Sequence, residues 1–323
     1  PSITTFLQAA KAGYLSSIPR LTTKLIRANL PLTPATAFGH LDRARKNVAS
    51  TRPLDPLKDS ALGVTDSHMI PSSISVTLRR DDWMASDLTG RFPVKSRKGN
   101  QYVLVTAFHN YIFAVPMPSK TSSAYVTAFH STFNHFKSTN LSITNITTDN
   151  EISQPLLDLF NNLNIKAQFQ PPGNHRSNYA ERAIRTFKNH FISTLASVHP
   201  TFPPDLWDLL IPITNLTINH LRPSKLNPSV SAYAGIHGAD IDFAKHPIHP
   251  PGQLVVVHER PDGRPTWSHH GLRGFYLGPA MHHYRCARVY TVKTGALRTS
   301  DTLSHFPNPL FHWKAPAAPL ALP

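Results

Sequence analysis

Between residues 83 and 196 the spacing of apolar residues changes period repeatedly, and this alternation constrains the fold more than any other feature of the chain. DDWMASDLTG, YVLVTAFH and YIFAVPM read as three strands joined by turns containing Gly90, Gly99 and Asn110, which predicts an antiparallel meander. SSAYVTAFHSTFNHFKS places Tyr125, Phe129, Phe133 and Phe136 at helical spacing, and ITNITTD reads as another strand. A helix over ISQPLLDLFNNLN and a short strand, IKAQFQ, lead to the loop signal PPGN. After it, SNYAERAIRTFKNHF opens a helix whose Ala180, Ala183, Ile184, Phe187, Phe191 and Leu195 form one apolar stripe. Three strands, helix, strand, helix, strand, helix is the order of a mixed sheet with helices packed on it, an α/β core over residues 81–200.

The flanks read differently. Residues 1–47 suggest short helices, one of them starting in TPATAFGHLDRARKN with Thr33 as N-cap and Pro34 at the first helical position. Residues 48–80 carry Pro53, Pro56, Pro71 and the serine-rich PSSIS, a linker composition. A helical connector is expected over 201–246, where PDLWDLLIPITNLTINHL is apolar despite Pro212 and NPSVSAYAGIHG ends at a glycine. Pro247, Pro250 and Pro251 mark the next boundary. Over 247–310, QLVVVHE, GFYLGPA, CARVYTV and ALRTSDT are short strands at hairpin spacing with Gly263, Gly274 and Gly295 near the turns, which predicts a small β-barrel before a tail at 311–323.

Charge narrows the partners. Lys and Arg number 33 against 18 Asp and Glu, a net charge of +15 that points to a polyanion. The single cysteine, Cys286, excludes an internal disulfide framework and a Cys-paired zinc finger, and fits a reducing intracellular compartment. No apolar run approaches the roughly 18–20 residues of a membrane span, so a soluble protein with no membrane partner is expected.

Three acids stand out against this basic background. Glu181, Arg185 and Lys188 lie at i, i+4 and i+7 on one helix face. Taken alone, that is an ordinary solvated face with an ion pair worth a few tenths of a kcal/mol. Asp87 and Asp149, however, fall at the ends of predicted strands in WMASDLTG and NITTDNE. Carboxylates brought together there repel one another unless cations sit between them, and two Mg²⁺ ions, which prefer oxygen ligands, would make a phosphoryl-transfer centre. Arg185 and Lys188 would then hold DNA phosphates. A chain with 18 acids supplies many such triples, so the surrounding motifs decide.

The ordered set SDLTGRFP, TTDNE and HRSNYAERAIRTFKNHF resembles the catalytic core of integrases encoded by copia-type LTR retrotransposons, in the retroviral-integrase superfamily. In that family one Asp ends the first strand before a turn with glycine, a second lies in a D-N-G or D-N-E context, and a Glu in an A-E-R context opens a long helix. The resemblance implies an RNase H-like core with a mixed five-stranded sheet, and Asp87, Asp149 and Glu181 as catalytic residues and ligands of two Mg²⁺ (or Mn²⁺) ions, Asp87 bridging both. Asn178 fills the place of the family's loop asparagine, His175 and Arg176 become additional DNA contacts, and Arg182 supports the helix surface. KAGYLSSIPRLTTKLIRANLP and ATAFGHLDRARKN are similar to the family's pre-integrase region, LRPSKLNPSVSAYAGIHG to its connector, and TWSHHGLRGFYLGPAMHHYRCARVY to its SH3-like C-terminal barrel. The implied activity is hydrolysis exposing a 3′-hydroxyl at an element end, then attack of that hydroxyl on target DNA. Double-stranded DNA is the implied partner, a homo-oligomer the implied assembly, and the nucleus the implied place of action.

Departures from the family pattern are local. Asp149 and Glu181 stand 32 positions apart, a short spacing that implies a trimmed loop. Only His40 and His68, and no cysteine, lie in the first eighty residues where integrases often carry a His/Cys zinc module, which implies a truncated or differently processed start. AFHN replaces the acids many relatives have after the second strand. The alternatives are a catalytically decayed DNA-binding remnant and an RNase H-type nuclease, the latter needing Asp158 or Asp205 as a fourth carboxylate. Elsewhere, the pairs His269–His270 and His282–His283 are expected to have a structural or surface role rather than bind a metal, Cys286 is expected to be a buried small hydrophobe, and Trp83, Trp207 and Trp267 core residues.

Overall fold

The computed structural model describes residues 2–29, 34–40, 83–139, 141, 143–148, 153–169, 179–263 and 265–306. The expected linker at 48–80, the PPGN loop, Thr33 and the tail at 311–323 lie outside these residues. The central sheet has five strands, β1 (Met84–Leu88), β2 (Tyr102–Phe108), β3 (Tyr111–Met117), β4 (Asn145–Thr148) and β5 (Lys166–Phe169), in the order β3-β2-β1-β4-β5. β1, β2 and β3 pair antiparallel, whereas β4 and β5 run parallel to β1, as the alternation of periods predicts for a mixed sheet. The β2–β3 hairpin turns on His109 and Asn110 at φ 47° and 70°, the left-handed pair that a two-residue hairpin of matching twist requires.

Register decides which residues share a face. Asp87 stands opposite Val105 and Ala85 opposite Ala107, and directly opposed residues project to the same side. That side is covered by α6 (Tyr179–Ala196), whose Ala183, Ile184, Phe187, Phe191 and Leu195 pack with Val103, Val105 and Ala107 in one buried cluster. Met84 and Leu104 project the other way, into a cluster with Phe129 and Phe136 of α4 (Ser122–Ser138) and Leu156 and Phe160 of α5 (Gln154–Asn162). Both faces of the sheet are thus covered, one by α6 and the other by α4 and α5.

The outer edge of β3 is closed by side chains. A 3₁₀ turn at Pro204–Leu210 continues into α7 (Ile211–His220), and Asn215 and Asn219, one turn apart, reach the strand backbone. Asn219 Oδ1 accepts from Ile112 N–H at 2.8 Å and its Nδ2 donates to Ile112 O at 2.7 Å, while Asn215 makes the same pair with Ala114 at 3.1 and 3.0 Å. The asparagines stand in for a sixth strand, and the next outward position, Pro116, has no N–H to satisfy. Pro212 is compatible with α7 because it falls in the first turn, where no intrahelical N–H is lost. Trp207 is fully buried, stacked on Phe92 at 4.3 Å with its Nε1–H donating to Val94 O at 2.9 Å.

Among the described residues before the sheet are α1 (Ile3–Lys11), capped by Ser2 Oγ on Thr5 N–H, α2 (Thr23–Ala28), capped by Thr22, and α3 (Pro34–His40). α3 lies directly against α6, since a Cβ on Gly39 would meet Asn189 O at 2.2 Å. α8 (Ala232–His237) begins at the Ser231 cap and ends at Gly238, φ 81°.

A second sheet follows: β6 (Leu254–His258), β7 (Gly271–Pro279), β8 (Ala287–Thr291), β9 (Ala296–Ser300) and β10 (Leu303–Phe306), all antiparallel in the order β10-β6-β7-β8-β9. Val255, Val257, Tyr276 and Val289 pack with Ile213 of α7, while Phe275, Leu277 and Tyr290 join the α6 cluster of the first sheet. β10 is additional to the four strands read from the sequence. Two expectations are corrected here. Trp267 is fully exposed, because it sits in the connection between β6 and β7 rather than on a strand, and Cys286 is half-buried just before β8, its thiol near Tyr284 O at 3.4 Å. Trp83, immediately before β1, is half-buried. His269, His270, His282 and His283 are exposed, as expected.

Candidate active site

Asp87 is the fourth residue of the central strand and is half-buried at its C-terminal end. Its Oδ1 accepts from the N–H of Leu88 at 2.7 Å, which fixes the carboxylate against the strand. The parallel partner β4 runs in the same direction and ends at Thr148, one residue before Asp149 in the sequence. Asp149 lies outside the described residues, as do His175, Arg176 and Asn178.

Glu181 is exposed in the first turn of α6, where the helix dipole favours a negative charge. The stripe that seats α6 on the sheet points Ala180, Ala183, Ile184 and Phe187 inward. Glu181, Arg182, Arg185 and Lys188 are left facing solvent. Asp87 and the helix bearing Glu181 therefore share one face of the sheet. Arg185 and Lys188 follow at about 6 and about 10 Å along the helix axis.

Among the described residues no group of three His, Cys, Asp or Glu side chains is gathered for a metal. The two described acids, Asp87 and Glu181, carry hard oxygen donors of the kind Mg²⁺ and Mn²⁺ take. Candidates for a fourth carboxylate are engaged elsewhere. Asp205 forms an ion pair with Arg97, Oδ2 at 2.9 Å and Oδ1 at 3.3 Å, beside the 3₁₀ turn. Asp158 Oδ1 accepts from Gln154 Nε2 at 2.8 Å within its own helix α5, on the opposite face of the sheet from Asp87.

Among the described residues, two cavities are candidate ligand sites, and neither is lined by Asp87 or Glu181. One, about 650 Å³, follows the β3 edge between α4, α7 and α8. Its wall holds His135, whose Nε2 lies 3.0 Å from the Tyr111 hydroxyl, and His237, at 3.4 Å from the same oxygen. Burial, with each ring's neighbouring imidazole second, holds His135 and His237 down to about 4. The other cavity, about 320 Å³, includes Arg185 and His190, the latter held at about 3 chiefly by burial, its Nε2 2.8 Å from Thr217 Oγ1. Nothing in the sequence pattern marks these imidazoles, which lie at helical positions a generic core residue would also occupy.

No protein family model matches this chain, and no curated protein matches it. Solved structures do. A chain in the cryo-EM structure of the simian T-cell lymphotropic virus intasome in complex with PP2A regulatory subunit B56 gamma is 19% identical, covers 69% of this chain and 77% of its own length, and superposes with a TM-score of 0.39. The crystal structure of the catalytic core domain of BIV integrase is 15% identical over 48% of this chain and 93% of its own length, with a TM-score of 0.36. Both superpositions are loose, so the weight falls on the topology and residues of the chain itself. No helix among the described residues is long and apolar enough to cross a membrane.

Proposed function

We propose that the chain is a retrotransposon-type integrase that processes 3′ ends and joins them to target DNA. The observation that carries this reading is the placement of Asp87 at the C-terminal end of the central strand, on the sheet face covered by the helix that opens with Glu181. The three motifs that resemble copia-type integrases run in the family's order along the chain, and the strand with Asp87 is covered on that side by the helix that carries Glu181. Asp149, one residue beyond β4, is proposed as the third acid of the set.

In this reading Asp87, Asp149 and Glu181 hold two Mg²⁺ or Mn²⁺ ions, which would lower the pKa of the attacking water or hydroxyl and stabilise the leaving oxygen. Both steps are in-line displacements at phosphorus. In the first, water oxygen bonds to phosphorus as a 3′ oxygen leaves; in the second, the freed 3′-hydroxyl does so as a target-strand oxygen leaves. Arg185 and Lys188 bind phosphates beside the acids, with Asn178, His175 and Arg176 proposed as further contacts from the preceding segment. The antiparallel second sheet is proposed to be the family's SH3-like barrel, with exposed Arg273, Lys293, Arg298 and Trp267 facing nucleic acid. Double-stranded DNA is the substrate, a homo-oligomer brings two ends together, and the nucleus is where joining takes place.

A strand-transfer assay on labelled element-end DNA tests this, comparing wild type with Glu181→Gln at matched DNA binding. Joining by wild type and a loss of about 10³-fold in the variant, roughly 4 kcal/mol of barrier, is the expected result. If neither protein joins while both bind DNA with the same steep salt dependence, the chain is a DNA-binding remnant.

A further inference from the structure

The smaller cavity is built from four separate elements. Thr5 comes from α1, His40 from the end of α3, Arg185, Thr186 and Asn189 from α6, and Arg222 from the turn after α7. Gly39 makes this convergence possible, because only a residue without a side chain lets α3 settle so close to the backbone of Asn189. Arg222 is held in place by donating to Asn110 Oδ1, and Asn110 Nδ2 in turn donates to Pro223 O at 2.7 Å, so the hairpin turn and the connector fix one another. Arg222 and His40 are half-buried, and Arg185 stands at the open side.

The lining is chemically one-sided. Two guanidiniums and two imidazoles meet two threonine hydroxyls and a carboxamide beside the apolar Ile218 and Leu221, and no Asp or Glu is among the described lining residues. Guanidiniums of separate elements converging on one enclosed space repel each other, and a multivalent oxyanion relieves that repulsion while matching their planar donor forks. The volume, about 320 Å³, lies at the small end of ligand pockets and suits a phosphate-sized group.

We propose that this junction of α1, α3, α6 and α7 is a binding site for a phosphate-type oxyanion, built from residues other than the three acids and sharing Arg185 with the DNA contacts proposed above. The oxyanion has two sources, a phosphate of the DNA backbone or a free phosphorylated compound. Strand joining plays no part in the site, so a failure of the integrase reading leaves it standing.

Titration calorimetry of the full chain with pyrophosphate, and anisotropy of a labelled DNA duplex across a salt series, test the proposal together. Wild type binds one pyrophosphate, and Arg222→Gln and Arg185→Gln each weaken it by about tenfold. If Arg222→Gln also lowers the salt slope for the duplex by about one, the occupant is a backbone phosphate. If the slope stays and only pyrophosphate is lost, the occupant is a free oxyanion. Absence of pyrophosphate binding in wild type, or affinity unchanged in the variants, overturns the site. Should Arg222→Gln fail to fold, Arg222→Lys, which keeps the charge and loses the planar donor fork, decides in its place.

Discussion

The two faces of the mixed sheet each bury an apolar cluster and yet differ in the strand residues that line them. Beneath α4 and α5 lies an aromatic core, Phe129 against Phe133 and Phe160 at ring separations of 5.8 and 5.4 Å, with Phe136 meeting Phe108 at 5.7 Å. Beneath α6 the sheet contributes small and β-branched residues, Val103, Val105 and Ala107, and on this side the strand end carries Asp87. Rings pack on both sides, Phe187 against Phe191 at 5.4 Å and Phe191 against Trp207 at 6.2 Å on the second, so the faces differ in the strand residues beneath them. Small strand residues under a long helix leave the end of the strand open, so the second face has room for a carboxylate at its rim.

The sharpest way to break this contrast is to damage the aromatic face alone. Phe129→Ala removes a fully buried ring and should cost about 3–5 kcal/mol of stability. Urea denaturation measures that loss. Joining per folded molecule should stay as in wild type, whereas Glu181→Gln should do the reverse and abolish joining with little change in the urea midpoint. A Phe129→Ala protein that is stable yet inactive would show that the two faces are not separable.

Acid should distinguish the faces next. His135 and His237 sit at the margin of the aromatic face, against Tyr111, Phe113 and Tyr233, and burial holds both imidazoles at about 4 against an ordinary value of 6.5. The unfolded chain takes up protons below about 6.5 that the folded chain does not take until about 4. Stability is therefore complete above pH 6.5 and falls as pH drops from 6.5 towards 4, by on the order of 3 kcal/mol for each imidazole. His190 adds to the same trend from the α6 side, its value being about 3. Urea midpoints at pH 7 and pH 5 measure the effect, and His135→Phe should flatten the dependence. Equal midpoints at the two pH values would mean that these imidazoles are hydrated in solution.

The core elements were legible because each strand and helix of the mixed sheet has its own apolar period, and burial follows that period. Phe129, Phe133 and Phe136 on α4 and Ala183, Ile184 and Phe187 on α6 all face inward as their spacing predicts. Side-chain direction along β1 then places Asp87 without any long-range information. Other features depend on contacts between distant residues and have no local signature. Asn215 and Asn219 look like ordinary polar positions until β3 is seen beside them, and β10 is a four-residue strand defined by its pairing with β6. Trp267 was misplaced because an apolar ring says nothing about whether its segment is a strand or a connection. Arg222 and His40 converge on α6 from opposite parts of the chain, which only the folded topology shows.

The smallest effect bears on the strand that separates the faces. Ser86 precedes Asp87 and projects to the aromatic side, where it is fully buried and its Oγ has no hydrogen-bond partner among the described residues. A buried hydroxyl with no partner carries its desolvation cost uncompensated, so Ser86→Ala should raise stability by about 1 kcal/mol. Alanine retains the backbone pairing with Thr106 and leaves the other side of the strand unchanged. Joining activity should therefore equal that of wild type while the urea midpoint rises. A lower midpoint would mean that a water or a local shift satisfies Ser86 in solution, and a loss of joining at unchanged stability would show that Asp87 depends on its neighbour across the strand.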